Sequence, residues 1–144
     1  MFTNPQTGEV ITTEQASFAL KAGAQLLNYQ PTNPVEMEYF IREAVGLMEK
    51  LPDVMLEING RRYEAERAYI AKKQSRKAYY GRNNVQATFA TAMADVDAQD
   101  ELEVWHNLKA EYHYAEGTER SLRTKVNSML NINKAITHAY GAHR

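Results

Sequence analysis

The histidines His106, His113, His138 and His143 are the side chains here best suited to bind a metal or move a proton near neutral pH. One stands in Glu103-Val-Trp-His106, a Glu-x-x-His step of the kind that supplies ligands to di-iron helical bundles. Such a centre needs a second Glu-x-x-His and two more glutamates on facing helices, and the sequence has no second copy of the step. His106 and His113 are seven apart and share a helix face, a spacing that fits surface histidines as well as ligands. The chain has no cysteine, which excludes disulfides, zinc-thiolate sites and thiol catalysis. No window matches a GxGxxG or GxxxxGKS/T phosphate loop. Ser17, Ser75, Ser121 and Ser128 all fall inside helical patterns rather than in a nucleophile elbow. No nucleophile, base pair or metal set converges, so the expectation is a non-enzymatic protein with no cofactor and no metal.

Charge is the more informative feature. The 144 residues carry 17 Lys+Arg against 18 Asp+Glu, a formal net of −1. The balance is laid out in blocks: −5 over residues 1–60, +6 over 61–82, −6 over 83–116 and +4 over 117–144. Blocks of alternating sign suit a chain that folds back on itself or meets a charged partner. Tyrosines interleave the basic block, with Tyr63, Tyr69, Tyr79 and Tyr80 among Arg61, Arg62, Arg67, Lys72, Lys73, Arg76 and Lys77. Lys and Arg neutralise phosphates and tyrosines stack on unpaired bases, so the pattern fits single-stranded nucleic acid. Tyr and Arg also anchor protein interfaces. The acidic block, Asp95, Asp97, Asp100, Glu101 and Glu103, could present a phosphate-like row to a basic groove, or pair with the basic block inside the chain.

The elements that must position these residues read as helices. Seven Gly and four Pro are few for a turn-rich β-fold, and 44% hydrophobic residues suffice for a thin core. Asn4-Pro5 and Thr7-Gly8 mark an opening loop or short hairpin. Thr12 with Gln15 fits a capping box, followed by Phe18, Leu20, Ala22, Leu26 and Leu27 up to Pro31. Asn33-Pro34-Val35-Glu36 opens a second helix whose apolar residues run Met37, Phe40, Ile41, Ala44, Leu47, Met48, Leu51. Pro52 is expected to end or kink it and to open a third helix, stopped at Gly81. Asn83 is expected to cap the next helix, with Val85, Phe89, Ala92, Met93 and Val96 starting its apolar stripe. Then Leu108, Tyr112, Ala115, Glu119, Leu122, Val126, Met129, Asn133, Ile136 and Tyr140 alternate by 4 and 3, a heptad seam. A kink at Gly117 is an even alternative to an unbroken helix, and His143-Arg144 reads as a frayed tail.

The expected fold is therefore all-α: two short N-terminal helices followed by a long antiparallel, coiled-coil-like helical hairpin. Residues 1–51 form the loop and short helices, and 52–144 the hairpin, packed as one domain. A reversal around Gly81-Arg82-Asn83 sets residue 81−n opposite 83+n. Arg61, Arg62 and Arg67 then face Asp97, Asp100, Glu101 and Glu103. Lys72, Lys73, Arg76, Lys77 and Arg82 face residues 84–94, which hold no acid, so an unpaired positive apex is expected. No apolar run approaches the roughly 20 residues of a membrane span, and the opening MFTNPQTGEV lacks a signal-peptide pattern, which points to the cytoplasm and no membrane.

Residues 57–136 resemble small phage-encoded helical proteins found beside recombination or single-strand-annealing functions. The features that carry the resemblance are Tyr63, Glu66 and Tyr69/Ile70, the basic step from Lys72 to Lys77, the Gly81-Arg82-Asn83 turn, Ala90/Ala94 with Asp95 and Asp97, Leu108-x-x-x-Tyr112, and the closing 120–128 segment. It implies a helical hairpin in the host cytoplasm that assists phage DNA metabolism, and it assigns no catalytic residue. Three readings follow. One is contact with nucleic acid or a DNA-handling protein through Lys72, Lys73, Arg76, Lys77, Tyr79, Tyr80 and Arg82. Another is inhibition of a host enzyme or defence complex, anti-CRISPR-like, through Asp95, Asp97, Asp100, Glu101 and Glu103. The third is a structural homo-oligomer packed through the 108–140 seam, unless Leu26, Leu27, Phe40 and Leu47 cover that seam instead.

Overall fold

The computed structural model describes residues 2–3, 6–8 and 10–142. The turn expected at Asn4-Pro5 and the tail expected at His143-Arg144 lie outside them. The described residues form a two-residue antiparallel ladder, β1 (Phe2–Thr3) with β2 (Val10–Ile11), and four helices: α1 (Thr13–Asn28), α2 (Pro34–Arg82), α3 (Ala87–Asp97) and α4 (Gln99–Ala142). The protein is all-α. Among the described residues no helix is long and apolar enough to cross a membrane.

The helix starts follow local chemistry. Thr12 accepts a hydrogen bond from the Gln15 backbone N–H (3.2 Å), and Gln15 Oε1 accepts one from the Thr12 N–H (2.9 Å), completing the capping box. Asn33 Oδ1 accepts from the Glu36 N–H (2.9 Å), with Pro34 at the first helical position. The Glu36 carboxylate reaches Thr32, one residue before the cap, accepting from its N–H and its hydroxyl.

Neither Pro52, expected to end or kink its helix, nor Gly117, an even alternative for a kink, interrupts a helix. α2 runs through Pro52 without ending. The proline ring is exposed while Leu51, Val54 and Ile58 around it are fully or almost fully buried. Burying three such side chains stabilises by about 1.5–3 kcal/mol each, against about 3 kcal/mol lost to an interior proline. The second helix is therefore long rather than short. α4 runs unbroken through Gly117. The break comes at Ala98 (φ −98°, ψ 11°), between α3 and α4: the Ala98 N–H bonds Ala94 O (3.1 Å), the Leu102 N–H bonds Ala98 O (3.0 Å), and the Asp95 carbonyl accepts from the Gln99 side-chain amide (3.2 Å).

The chain divides into two compact units, one from residues 1–57 with 113–144 and the other from 58–112. In the first, α1, the start of α2 and the C-terminal part of α4 enclose Leu20, Phe40, Leu47, Leu51, Val54, Leu122 and Val126. The buried face of α1 is Ala16, Ala19, Leu20 and Gly23. Phe18, expected inside, is 75% exposed. Small residues win that face because α4 passes close: a β-carbon at Gly23 would lie 2.7 Å from Thr118 Cγ2 and 3.4 Å from Leu47 Cδ2. Lys125 closes the end of α1, its ammonium donating to the carbonyls of Leu26 (3.0 Å), Leu27 (3.1 Å) and Tyr29. It also lies 4.8 Å from the Phe40 ring centre. Burial holds its pKa below the ordinary lysine value. The heptad seam is thus filled at Ala115, Leu122 and Val126 by this chain's own helices, and that stretch is not free for a second copy.

The second unit has a core of small side chains. Ile58, Ala65, Ala90, Ala94 and Ala98 are buried, and Tyr69 stacks on Trp105 with ring centres 5.7 Å apart. Phe89, Met93 and Val96, expected in its core, are exposed. Ala90, Ala94 and Ala98, spaced by four, form the inward ridge instead, because a short side chain lets two helices approach closely.

Candidate interaction surface

The reversal between α2 and α3 is built from Asn83, Asn84, Val85 and Gln86. Asn84 has φ 61°, the left-handed region that Asn tolerates better than most residues. Asn83 closes α2 rather than opening α3: its backbone N–H bonds Tyr79 O and Tyr80 O, and its side-chain amide donates to Tyr79 O (2.8 Å). α3 starts from Gln86 without a side-chain cap. α2 ends at Arg82, one residue past Gly81.

Spending four residues on the reversal moves the facing positions away from the expected register. Lys73 lies 2.8 Å from Asp95, Arg76 Nε donates to Asp97 Oδ2 (2.7 Å), and Arg61 meets Glu111 (3.3 Å). None of these is the expected pairing. With Arg61 against Glu111 and Tyr69 against Trp105, Arg76 falls directly opposite Asp97, and Lys73 reaches back along the facing helix to Asp95. The apex is consequently not unneutralised as a whole: Lys73 and Arg76 are paired.

Asp97 is the centre of this cluster. One oxygen accepts from both Arg76 and the Tyr80 hydroxyl (2.5 Å), and Arg76 also donates to Tyr80 (3.1 Å). The guanidinium lies 4.5 Å from the Tyr79 ring centre and 5.0 Å from that of Tyr80, and the two rings meet edge to face. The Tyr80 hydroxyl, then Arg76, hold the Asp97 carboxyl below the usual aspartate range, with Lys72 adding attraction from further away. Asp97 and Tyr80 in turn raise the Arg76 pKa, and Asp95 raises that of Lys73. Arg76 is held by these bonds, and Tyr79 is left partly exposed beside it.

Among the described residues, Lys72, Lys77 and Arg82 are exposed with no carboxylate at ion-pair distance. The structure therefore brings together two groups from the expected basic set. Lys73, Arg76 and Tyr80 are bound into the fold, while Lys72, Lys77, Tyr79 and Arg82 face solvent. The acidic set divides similarly. Asp95 and Asp97 are engaged, Glu101 Oε2 is shielded from solvent, and Asp100 and Glu103 are exposed. His106 is exposed and tilts against Trp105, and His113 meets Glu116 (3.2 Å). Among the described residues no three His, Asp or Glu side chains gather as a metal site would require. Phe89, Met93 and Val96 of α3, an apolar stripe in the sequence, are exposed here. The signal was present in the fourfold spacing of Ala90, Ala94 and Ala98, which marks the opposite face as the buried one. No family model, curated protein or solved structure matches the chain.

Proposed function

We propose that this is a non-enzymatic interaction protein, an accessory of phage-type DNA recombination or replication. The second unit would work as a helical, coiled-coil-like hairpin whose apex contacts single-stranded nucleic acid. One observation supports this most directly: Lys77 and Arg82, in the last two turns of α2 before the reversal, are exposed with no carboxylate at ion-pair distance among the described residues, next to the exposed ring of Tyr79, and Lys72 is exposed further back on the same helix. Unpaired cations supply the phosphate attraction, and a ring braced by Arg76 supplies a stacking platform at little entropic cost. The contact is weak and sequence-tolerant, because three cations contribute only a modest release of counterions.

Fluorescence anisotropy with a labelled oligonucleotide tests the reading. Binding should appear at about 50 mM salt, weaken as salt rises, and vanish in a Lys77→Glu/Arg82→Glu variant. No binding at low salt, or binding indifferent to salt, overturns it. Inhibition of a host complex by acidic mimicry retains only Asp100 and Glu103 as free, exposed charges, which makes it the weaker reading.

A further inference from the structure

The second unit carries two outward stripes with the same spacing. On α2 they are Tyr63, Arg67, Ile70, Gln74 and Lys77; on α3 and the start of α4 they are Phe89, Met93, Val96, Asp100 and Glu103. Both step by 4, 3, 4, 3, and all ten side chains are exposed. The second stripe crosses Ala98, the turn residue (φ −98°, ψ 11°) that joins α3 to α4, with Phe89, Met93 and Val96 before it and Asp100 and Glu103 after it. Val96, at 69% exposed, and Phe89, at 63%, are large apolar groups left in water by their own chain.

Laid side by side in the same direction, the stripes match. Tyr63 meets Phe89, Ile70 meets Val96, Gln74 meets Asp100 and Lys77 meets Glu103. Apolar residues fall on apolar residues, and the cation falls on the anion. Arg67 lies against Met93, where its aliphatic stem packs and its head stays in water. Within one chain this match cannot form. The contacts Arg61–Glu111, Tyr69–Trp105 and Arg76–Asp97 show the two helices pairing in opposite directions, through their other faces.

We infer that the outward stripe of α2 in one copy receives the outward stripe of α3–α4 in a second copy, in parallel and in register, so that the protein associates with itself through this face. The occupant is a second copy because each stripe's complement, in charge and in apolar pattern, is present on the same chain and unreachable within it. Among the described residues Lys77, Asp100 and Glu103 have no ion-pair partner that would compete.

Sedimentation equilibrium of the full chain, without nucleic acid, tests this. The wild type should exceed its monomer mass of 16.4 kDa at tens of micromolar. Lys77→Glu and Glu103→Lys should each weaken association roughly tenfold, and the double variant should restore it to within about threefold of wild type. Val96→Asp should abolish it while leaving helicity by circular dichroism unchanged. A strict monomer overturns the inference, as do single charge variants that associate like wild type, or a double variant that fails to recover. Lys77 also belongs to the proposed nucleic-acid apex. Glu103→Lys separates the two, since it should disrupt self-association without weakening oligonucleotide binding.

Discussion

Replacing Asp97 by Asn should destabilise the protein and at the same time strengthen its hold on nucleic acid. Asp97 accepts two hydrogen bonds on one oxygen, from Arg76 and from Tyr80, and so keeps a cation of the apex occupied. Hydrogen bonds to a charged group contribute about 1.5–3 kcal/mol when buried. Both side chains here are about one-third exposed, at 34% and 28%, so solvent screening leaves only part of that contribution. The melting temperature, followed by circular dichroism, should fall by a few degrees (roughly 2–4 °C per kcal/mol lost in a chain near this size). The acid limb should change as well. The Asp97 pKa is depressed in the folded state, so its contribution is fully present above the ordinary aspartate value of about 4 and is lost as pH falls through the folded value. Wild type should lose more stability than the Asn variant below about pH 4. The released Arg76 adds one phosphate-neutralising group to the apex. Each such group steepens the salt dependence of single-strand binding by about 0.7 in log K per log salt, or about fivefold in affinity at 0.1 M salt. An anisotropy titration at several salt concentrations reads both quantities. An Asn variant that stays folded and binds no more tightly refutes the apex reading. One that melts like wild type refutes the structural role of the cluster.

Two further substitutions probe the first unit. Gly23→Ala should destabilise by about 1–3 kcal/mol, because the added carbon falls 2.7 Å from Thr118 Cγ2; combining it with Thr118→Ser, which removes that methyl, should recover most of the loss in a double-mutant cycle. Lys125→Met keeps the stem against Phe40 but strips the ammonium from three carbonyls at the end of α1, and chemical denaturation should report a loss of about 2–3 kcal/mol.

Helix identity was legible in the sequence because caps and apolar spacing are local. Thr12 with Gln15, and Asn33 with Pro34, need only their own neighbours to act, and both operate as read. Of the heptad spacing read from Leu108 to Tyr140, the members up to Ile136 are buried or half-buried, whereas Tyr140 is 74% exposed. Burial ranking misled where large residues competed with small ones. Phe18, Phe89 and Val96 looked like core and are exposed. Ala16, Gly23, Ala90 and Ala94 are buried in their place. Hydrophobicity alone favours the large side chain, whereas close helix approach favours the small one, and only the packing partner decides between them.

The charge blocks show the same division. Composition alone determined that a basic stretch would lie beside an acidic one, and that no thiol chemistry could occur. Which cation meets which carboxylate depended on the register that four residues of loop impose, and on how far Lys73 reaches along the facing helix. A shift of a few residues turns an unpaired Arg76 into one bound to Asp97, because ion pairs form over 3–4 Å while sequence spacing locates a facing residue only to within a turn or two of helix.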